Sequence, residues 1–150
     1  MAELQLGPAF SGSALGRRAI RSGCRARALH SASRPCPVDL AQLLARNGIT
    51  AIVPVIAPYA HSRQAVRERH HAAAIPFLEI HVAAPVAVCS ARDVKELYAK
   101  QARGEISGLT GVDAPYEVPD DPDLWLETHR LSVEESVTKV HALLLSRNLI

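Results

Sequence analysis

Basic side chains are concentrated between positions 92 and 103, directly before a glycine-rich stretch. They are Arg92, Lys95, Lys100 and Arg103, and glycines follow within 104–111. If residues 93–103 form a helix, spacings of three and eight put Arg92, Lys95 and Arg103 on one face. Guanidinium and ammonium groups pair with tetrahedral oxyanions, so this face suits a phosphate or sulfate group. A solvated helix surface explains the same spacing, and both interpretations stay open on the residues alone.

The charge of the chain is unevenly distributed. Residues 1–38 hold six arginines and one acid, a balance of +5, whereas residues 39–150 hold 11 basic and 14 acidic side chains, a balance of −3, which together give the net +2. The basic leader contains one aromatic residue, Phe10, for base stacking, which argues against a nucleic-acid partner. No apolar run approaches the roughly 18 residues that cross a bilayer. We therefore expect no membrane partner and a cytoplasmic location.

Histidine and cysteine are placed poorly for metal binding. The neighbours His70 and His71 point about 100° apart on a helix and cannot easily share one ion. Three cysteines without a CxxC pair argue against a structural zinc site. We predict no metal held by these residues, and a solvated helix surface for both histidines.

Apolar runs and helical periods alternate along the chain, which predicts an α/β fold with a parallel sheet. Two continuous apolar runs, ITAIVPVI (49–56) and FLEIHV (77–82), are typical of strands buried on both faces. Residues 104–123 are predicted to form a long ordered loop. Helices are predicted at 38–47, 62–74, 85–89 and 93–103, and after Ser132, which with Glu135 forms a capping box.

A long motif identifies a family. Residues 92–119 read RDVKELYAKQARGEISGLTGVDAPYEVP. They resemble the lid of adenylyl-sulfate kinases, RDxKxLYxKxRxGxIxxFTGxxxPYExP, with one extra residue between Lys100 and Arg103. Upstream, IAPY (56–59) followed by Arg63 is similar to the family's strand end and basic helix. The resemblance covers about 110 residues, 40–150, and implies a partial P-loop-kinase-like three-layer fold over 39–150.

The resemblance also implies roles for single residues. Lys95 would contact the phosphosulfate end of adenosine 5'-phosphosulfate (APS), and Arg92 and Arg103 would lie near the transferring phosphate or ATP, as catalytic residues. The implied substrate-binding set is Ile56, Ala57, Arg63, Lys95, Gly108 and Leu109. The implied activity is ATP-dependent phosphorylation of the 3'-hydroxyl of APS to give PAPS, with ATP and Mg²⁺ as cofactors. The implied protein partners are a second copy in a homodimer and a sulfate adenylyltransferase.

The sequence departs from the family pattern in several places. Leu109 stands where the family usually has Phe, Ala57 where many members have Ser, and Ser62 where many have Asp. The phosphate-binding GxxxxGK[ST] motif is not found, since the glycines of residues 7–18 lack its Lys or its spacing. We therefore expect the N-terminal strand and P-loop to be absent. A non-catalytic truncated fragment that binds APS or dimerises is the alternative function.

The leader, residues 1–38, is predicted to be disordered or non-homologous to the family. Its Arg-rich, Ser-rich, acid-poor composition is typical of an organelle transit peptide. GC-rich DNA read in a wrong frame or from a wrong start gives the same composition. We favour the second explanation, because a transit peptide should precede a complete enzyme, and we assign no fold to this segment.

Overall fold

The computed structural model describes residues 37–150. The predictions for the leader and for the glycines of residues 7–18 lie outside these described residues. The described part contains five helices and two strands: α1 Pro37–Arg46, α2 Ala60–Ala72, β1 Ile80–Val82, α3 Val86–Arg92, α4 Leu97–Ala102, β2 Leu124–Leu126 and α5 Val133–Ser146.

Strands β1 and β2 pair in parallel, with Ile80 opposite Leu124 and Val82 opposite Leu126. Ile80 and Leu126 are buried. Because the chain leaves β1, passes through two helices and a loop, and returns beside it, the predicted α/β fold with a parallel sheet is confirmed. Strand β2 lies just beyond the stretch predicted as a loop and was not predicted.

The apolar run 49–56 is not a strand within the described part of the chain. Ala51 and Val53 are buried and pack against Ala41 of α1, whereas Ile52 is 63% exposed and Ile56 52% exposed. The prediction of a strand buried on both faces is therefore wrong for the described residues. A strand needs a neighbour for its backbone hydrogen bonds, and none pairs with 49–56 in this part.

Helix α5 begins as its sequence predicts. The Ser132 hydroxyl accepts a hydrogen bond from the Glu135 amide, and the Glu135 carboxylate accepts one from the Ser132 amide, which completes the capping box. Leu143 and Leu144 then pack against the buried pair Leu78 and Leu149. This contact ties the C-terminal helix to the segment that leads into β1.

An ionic network holds α2 and α5 to the starts of the strands. Glu79 lies between Arg63 and Arg67 of α2, at 2.9 and 3.0 Å. Asp123, directly before β2, accepts hydrogen bonds from the Glu79 amide at 2.9 Å, from Arg67 at 3.3 Å and from Arg147 at 3.2 Å. Buried charges are tolerated when they are paired in this way.

Two local predictions are wrong. His70 is 1% exposed and packs on Phe77, with Nδ1 2.8 Å from the Val66 carbonyl oxygen, so it is a core residue and not a solvated one. The predicted helix 93–103 is shortened to α4, which begins only after Glu96. Glu96 has a φ of +54°, which breaks the helical path from α3.

Candidate functional site

The IAPY segment and the PYE end of the lid motif are docked on each other. The Glu117 amide donates to the Pro58 carbonyl at 2.8 Å, and the Glu117 carboxylate accepts from the Ala60 amide at 2.6 Å. Arg63 donates to the carbonyl oxygens of Ala57 and Glu117, each at 2.8 Å. Two motifs that lie more than 50 residues apart in sequence therefore form one structural unit at the start of α2.

Arg63 occupies the centre of this junction and is 4% exposed. Besides its two carbonyl partners, Arg63 forms an ion pair with Glu79, in which Nε lies 2.9 Å from Oε1. The two groups are not aligned for a hydrogen bond. Its guanidinium also lies 5.9 Å from the centre of the Tyr116 ring. The planar fork of arginine suits this arrangement, since its donors diverge in one plane toward several acceptors.

The lid motif begins with a turn that is fixed by Asp93. Its carboxylate accepts hydrogen bonds from the amides of Tyr98 and Ala99, at 3.1 and 2.9 Å. Desolvation acts to raise the pKa of Asp93, but the hydrogen bonds from Ala99, Tyr98 and Leu97 outweigh it and hold that pKa below its ordinary value. The carboxylate stays ionised and serves as the cap for the first turn of α4.

The three basic residues of the proposed anion site lie on different elements. Arg92 is the last residue of α3, Lys95 lies in the turn before α4, and Arg103 is the C-cap of α4. The expectation that they share the face of one helix is therefore wrong. Arg92 and Lys95 are exposed, and Arg103 pairs with Glu105, Nη2 to Oε2 3.2 Å.

A second turn orders Gly108 and Leu109. Their amides donate to the two carboxylate oxygens of Asp113, at 2.8 and 2.6 Å. The hydrogen bond from the Gly108 amide is the main cause that lowers the pKa of Asp113 below its ordinary value, and the bond from the Leu109 amide adds to this effect. Gly108 has a φ of +78°, a left-handed conformation that glycine adopts without steric cost. The turn exposes Gly108 and half-buries Leu109.

An aromatic cluster supports the PYE segment from the sheet. The His81 ring of β1 stacks on Tyr116, with centroids 5.9 Å apart, and meets the Trp125 ring of β2 edge-on at 4.4 Å. The Tyr116 hydroxyl lies 3.2 Å from His81 Nδ1. Burial lowers the pKa of His81, so the ring is neutral at pH 7. Sequence reasoning missed His81, because one histidine in a strand carries no motif.

An open cavity of about 450 Å³ lies between the start of α2 and the end of the lid motif. Arg63, Arg67, Glu79, Asp120 and Asp121 are among its lining residues. Within residues 37–150, no group of three or more His, Cys, Asp or Glu side chains is arranged to hold a metal ion. No helix of this part is long and apolar enough to cross a membrane.

The predicted substrate residues fall into two groups. Ile56, Ala57 and Arg63 lie at the junction of the IAPY and PYE segments. Lys95, Gly108 and Leu109 lie on the two turns of the lid motif. Asp93, Asp113 and Glu117 fix these turns and the junction, and sequence reasoning did not single them out as structural supports. Each lies inside the lid motif, which is the signal that pointed to the region.

Comparison with known proteins identifies the family. The adenylylsulphate kinase family model matches residues 34–127. A probable adenylyl-sulfate kinase of Synechocystis is 48% identical over 101 residues, which cover 67% of this chain and 55% of the relative. The adenylyl-sulfate kinase of Myxococcus xanthus is 45% identical over 111 residues, which cover 74% of this chain and 60% of the relative.

A solved structure supports the same conclusion. The APS kinase of Mycobacterium tuberculosis, in complex with AMPPNP and APS, superposes with a TM-score of 0.69 at 41% identity and covers 72% of this chain and 62% of that one. The match agrees with the predicted P-loop-kinase-like fold. The chain spans a little over half the length of the two curated relatives. On its sequence and its fold, this chain belongs to the adenylyl-sulfate kinase family.

Proposed function

We propose that this chain provides the APS-binding part of an adenylyl-sulfate kinase, which transfers the γ-phosphate of ATP to the 3'-hydroxyl of APS and forms PAPS. The observation that carries the proposal is the docking of the IAPY segment on the PYE end of the lid motif through Arg63 and Glu117. Arg63, which joins the two motifs, also lines the neighbouring cavity. Family membership and the named complex of a relative with APS support the same substrate.

The proposed roles of the lid residues are those that the family resemblance implies, and the exposure and charge of Lys95 are compatible with its role. Lys95 is exposed in a turn and is proposed to pair with the phosphosulfate group. Gly108 and Leu109 are proposed to border adenine, on a turn that Asp113 already fixes. A fixed turn loses little conformational entropy when a ligand binds, which favours affinity.

Arg92 and Arg103 are proposed to lie near the transferring phosphate, where positive charge stabilises the transition state. Arg92 is exposed at the end of α3. Arg103 is paired with Glu105 at the surface, and the Arg103 hydrogen bond lowers the pKa of that carboxyl. An exposed ion pair contributes little to stability, so a phosphate group competes readily for this arginine.

The residues present do not fit the ATP phosphates, because residues 1–150 contain no GxxxxGK[ST] sequence, whose amides and Lys would hold them. This observation favours the second candidate function, an APS-binding module without phosphoryl transfer. A homodimer, a sulfate adenylyltransferase partner and a cytoplasmic location stay predictions.

Two assays on the 150-residue chain test the proposal. Isothermal titration calorimetry with APS should give saturable binding, and adenosine without phosphosulfate should bind more weakly because Lys95 lacks its anion. PAPS formation from APS, ATP and Mg²⁺ then separates the two candidates, with an intact relative as positive control. Turnover supports the kinase, and binding without turnover supports the module. A folded chain that does not bind APS contradicts both.

A further inference from the structure

Ala57 adopts a backbone conformation that its sequence context disfavours. Its φ is +37°, in the region that residues other than glycine rarely enter. The following residue is Pro58, and a residue before proline normally has an extended conformation with φ near −120°. Such a conformation persists only where the surroundings hold it in place, and it occurs often at functional sites.

The Ala57 carbonyl is held by Arg63. Nη1 of Arg63 donates to the Ala57 carbonyl oxygen at 2.8 Å, and Nη2 of the same guanidinium donates to the Glu117 carbonyl oxygen at 2.8 Å. One rigid guanidinium therefore fixes the distance between the IAPY segment and the end of the lid motif. Glu117 adds its own bonds to Pro58 and Ala60.

The position of Arg63 is itself determined from the core. Glu79 contacts its Nε, and the same carboxylate also binds Arg67, whose partner Asp123 precedes β2. Arg63 is 4% exposed, whereas Ile56 is 52% exposed beside it. The guanidinium therefore binds protein acceptors, and it supports the half-buried Ala57, whose neighbour Ile56 is exposed.

We propose that Arg63 is a positioning residue of the APS site. It holds Ala57 in its left-handed conformation and joins it to Glu117, and thereby sets Ile56 and Ala57 relative to the lid motif. In contrast to the substrate contact that the family resemblance implies for Arg63, it acts through the backbone and does not touch APS. This inference rests on the proposed function for its ligand, but the arrangement of the junction can be measured without APS.

The test compares three variants of the full chain. Arg63→Lys keeps a positive charge near Glu79 but removes the planar fork that reaches both carbonyls. Arg69→Lys is the matched control, since Arg69 lies on the same helix and pairs at the surface with Asp39, outside the Glu79 network. The third variant combines Arg63→Lys with Ala57→Gly. Glycine adopts a positive φ at no steric cost, so residue 57 can keep its conformation without the support of Arg63.

APS affinity, measured by calorimetry on variants whose circular dichroism shows a folded chain, gives the first result. We expect Arg63→Lys to weaken binding on the order of 10- to 100-fold, since small displacements of positioned groups have effects of this size. Arg69→Lys should weaken it far less, and Ala57→Gly added to Arg63→Lys should recover a clear part of the loss. A side chain that touched APS directly would gain nothing from the glycine, so failure of the recovery would overturn the proposal.

Hydrogen exchange of the Ala60 and Glu117 amides gives the second result, without APS. Both amides are bonded within the junction. We expect faster exchange in Arg63→Lys than in Arg69→Lys, and unchanged exchange in Arg63→Lys would refute the positioning role. If the unmodified chain does not bind APS, the proposed function fails, and the exchange rates alone decide whether Arg63 holds the junction.

Discussion

Replacement of Asp123 by alanine should destabilise the fold more than any surface substitution. The carboxylate is 11% exposed and accepts from the Glu79 amide, from Arg67 and from Arg147. Removing one member of a buried ionic network costs about 3–5 kcal/mol, because the remaining charges and the amide lose their partners. Arg67 is 32% and Arg147 55% exposed, so water compensates part of this loss. We therefore expect a cost near the lower limit, about 3 kcal/mol.

Urea denaturation followed by circular dichroism measures this free energy of unfolding. A thermal scan should show a Tm lowered by roughly 6–12 °C, from about 2–4 °C per kcal/mol for a chain of this size. Glu127→Ala is the control, because Glu127 forms a surface ion pair with Arg130, at 3.5 Å. That variant should lose less than about 0.5 kcal/mol. If Asp123→Ala unfolds with a free energy within about 1 kcal/mol of the wild type, the network does not hold the helices to the sheet as described.

Three further predictions concern single turns and one buried ring. Gly108→Ala should cost about 1–2 kcal/mol in thermal unfolding, because a Cβ there meets no atom within 4 Å and only the positive φ is penalised; an unchanged Tm would contradict this. Ser132→Ala should cost about 1 kcal/mol in urea denaturation through loss of the capping box, and no cost would mean that the cap is dispensable. Burial lowers the pKa of His81 in the folded chain below the ordinary 6.5, so the unfolded chain takes up this proton at a higher pH than the folded one. The contribution of the neutral His81 ring to stability is therefore present above about pH 6.5 and is lost as the pH falls. When the pH is lowered from 7.5 to 5.5, the free energy of unfolding of His81→Phe should therefore fall less than that of the wild type. Equal losses would show that His81 does not cause the pH dependence.

Local signals predicted local structure well. Ser132 and Glu135 predicted the start of α5, and the basic, alanine-rich stretch after Tyr59 predicted α2. The parallel arrangement followed from the alternation of apolar runs and helical periods. Where Asp93 turns its carboxylate onto the amides of α4, the continuous helix suggested by the basic spacing is interrupted. A side chain that bonds nearby backbone competes with the helix, and spacing does not reveal this.

Long-range contacts were not accessible in the same way. Strand β2 is three residues long and follows a stretch rich in acids, so its apolar triplet carries too little periodicity to be recognised. The motif resemblance located both the IAPY and PYE segments, but the contacts of Arg63 and Glu117 that join them span more than 50 residues. Such contacts depend on packing around Glu79 and the sheet, which no local pattern encodes.

The most direct test of the central claim is APS binding by Lys95→Ala and Lys139→Ala, measured by calorimetry beside the unmodified chain. Both lysines are exposed, but Lys95 lies in the lid turn and Lys139 on α5. We predict that Lys95→Ala weakens APS binding about tenfold or more, since a charge-assisted bond to an oxyanion contributes about 1.5–3 kcal/mol, whereas Lys139→Ala binds like the wild type. Equal APS affinity of the two variants would contradict an APS site built on the lid motif.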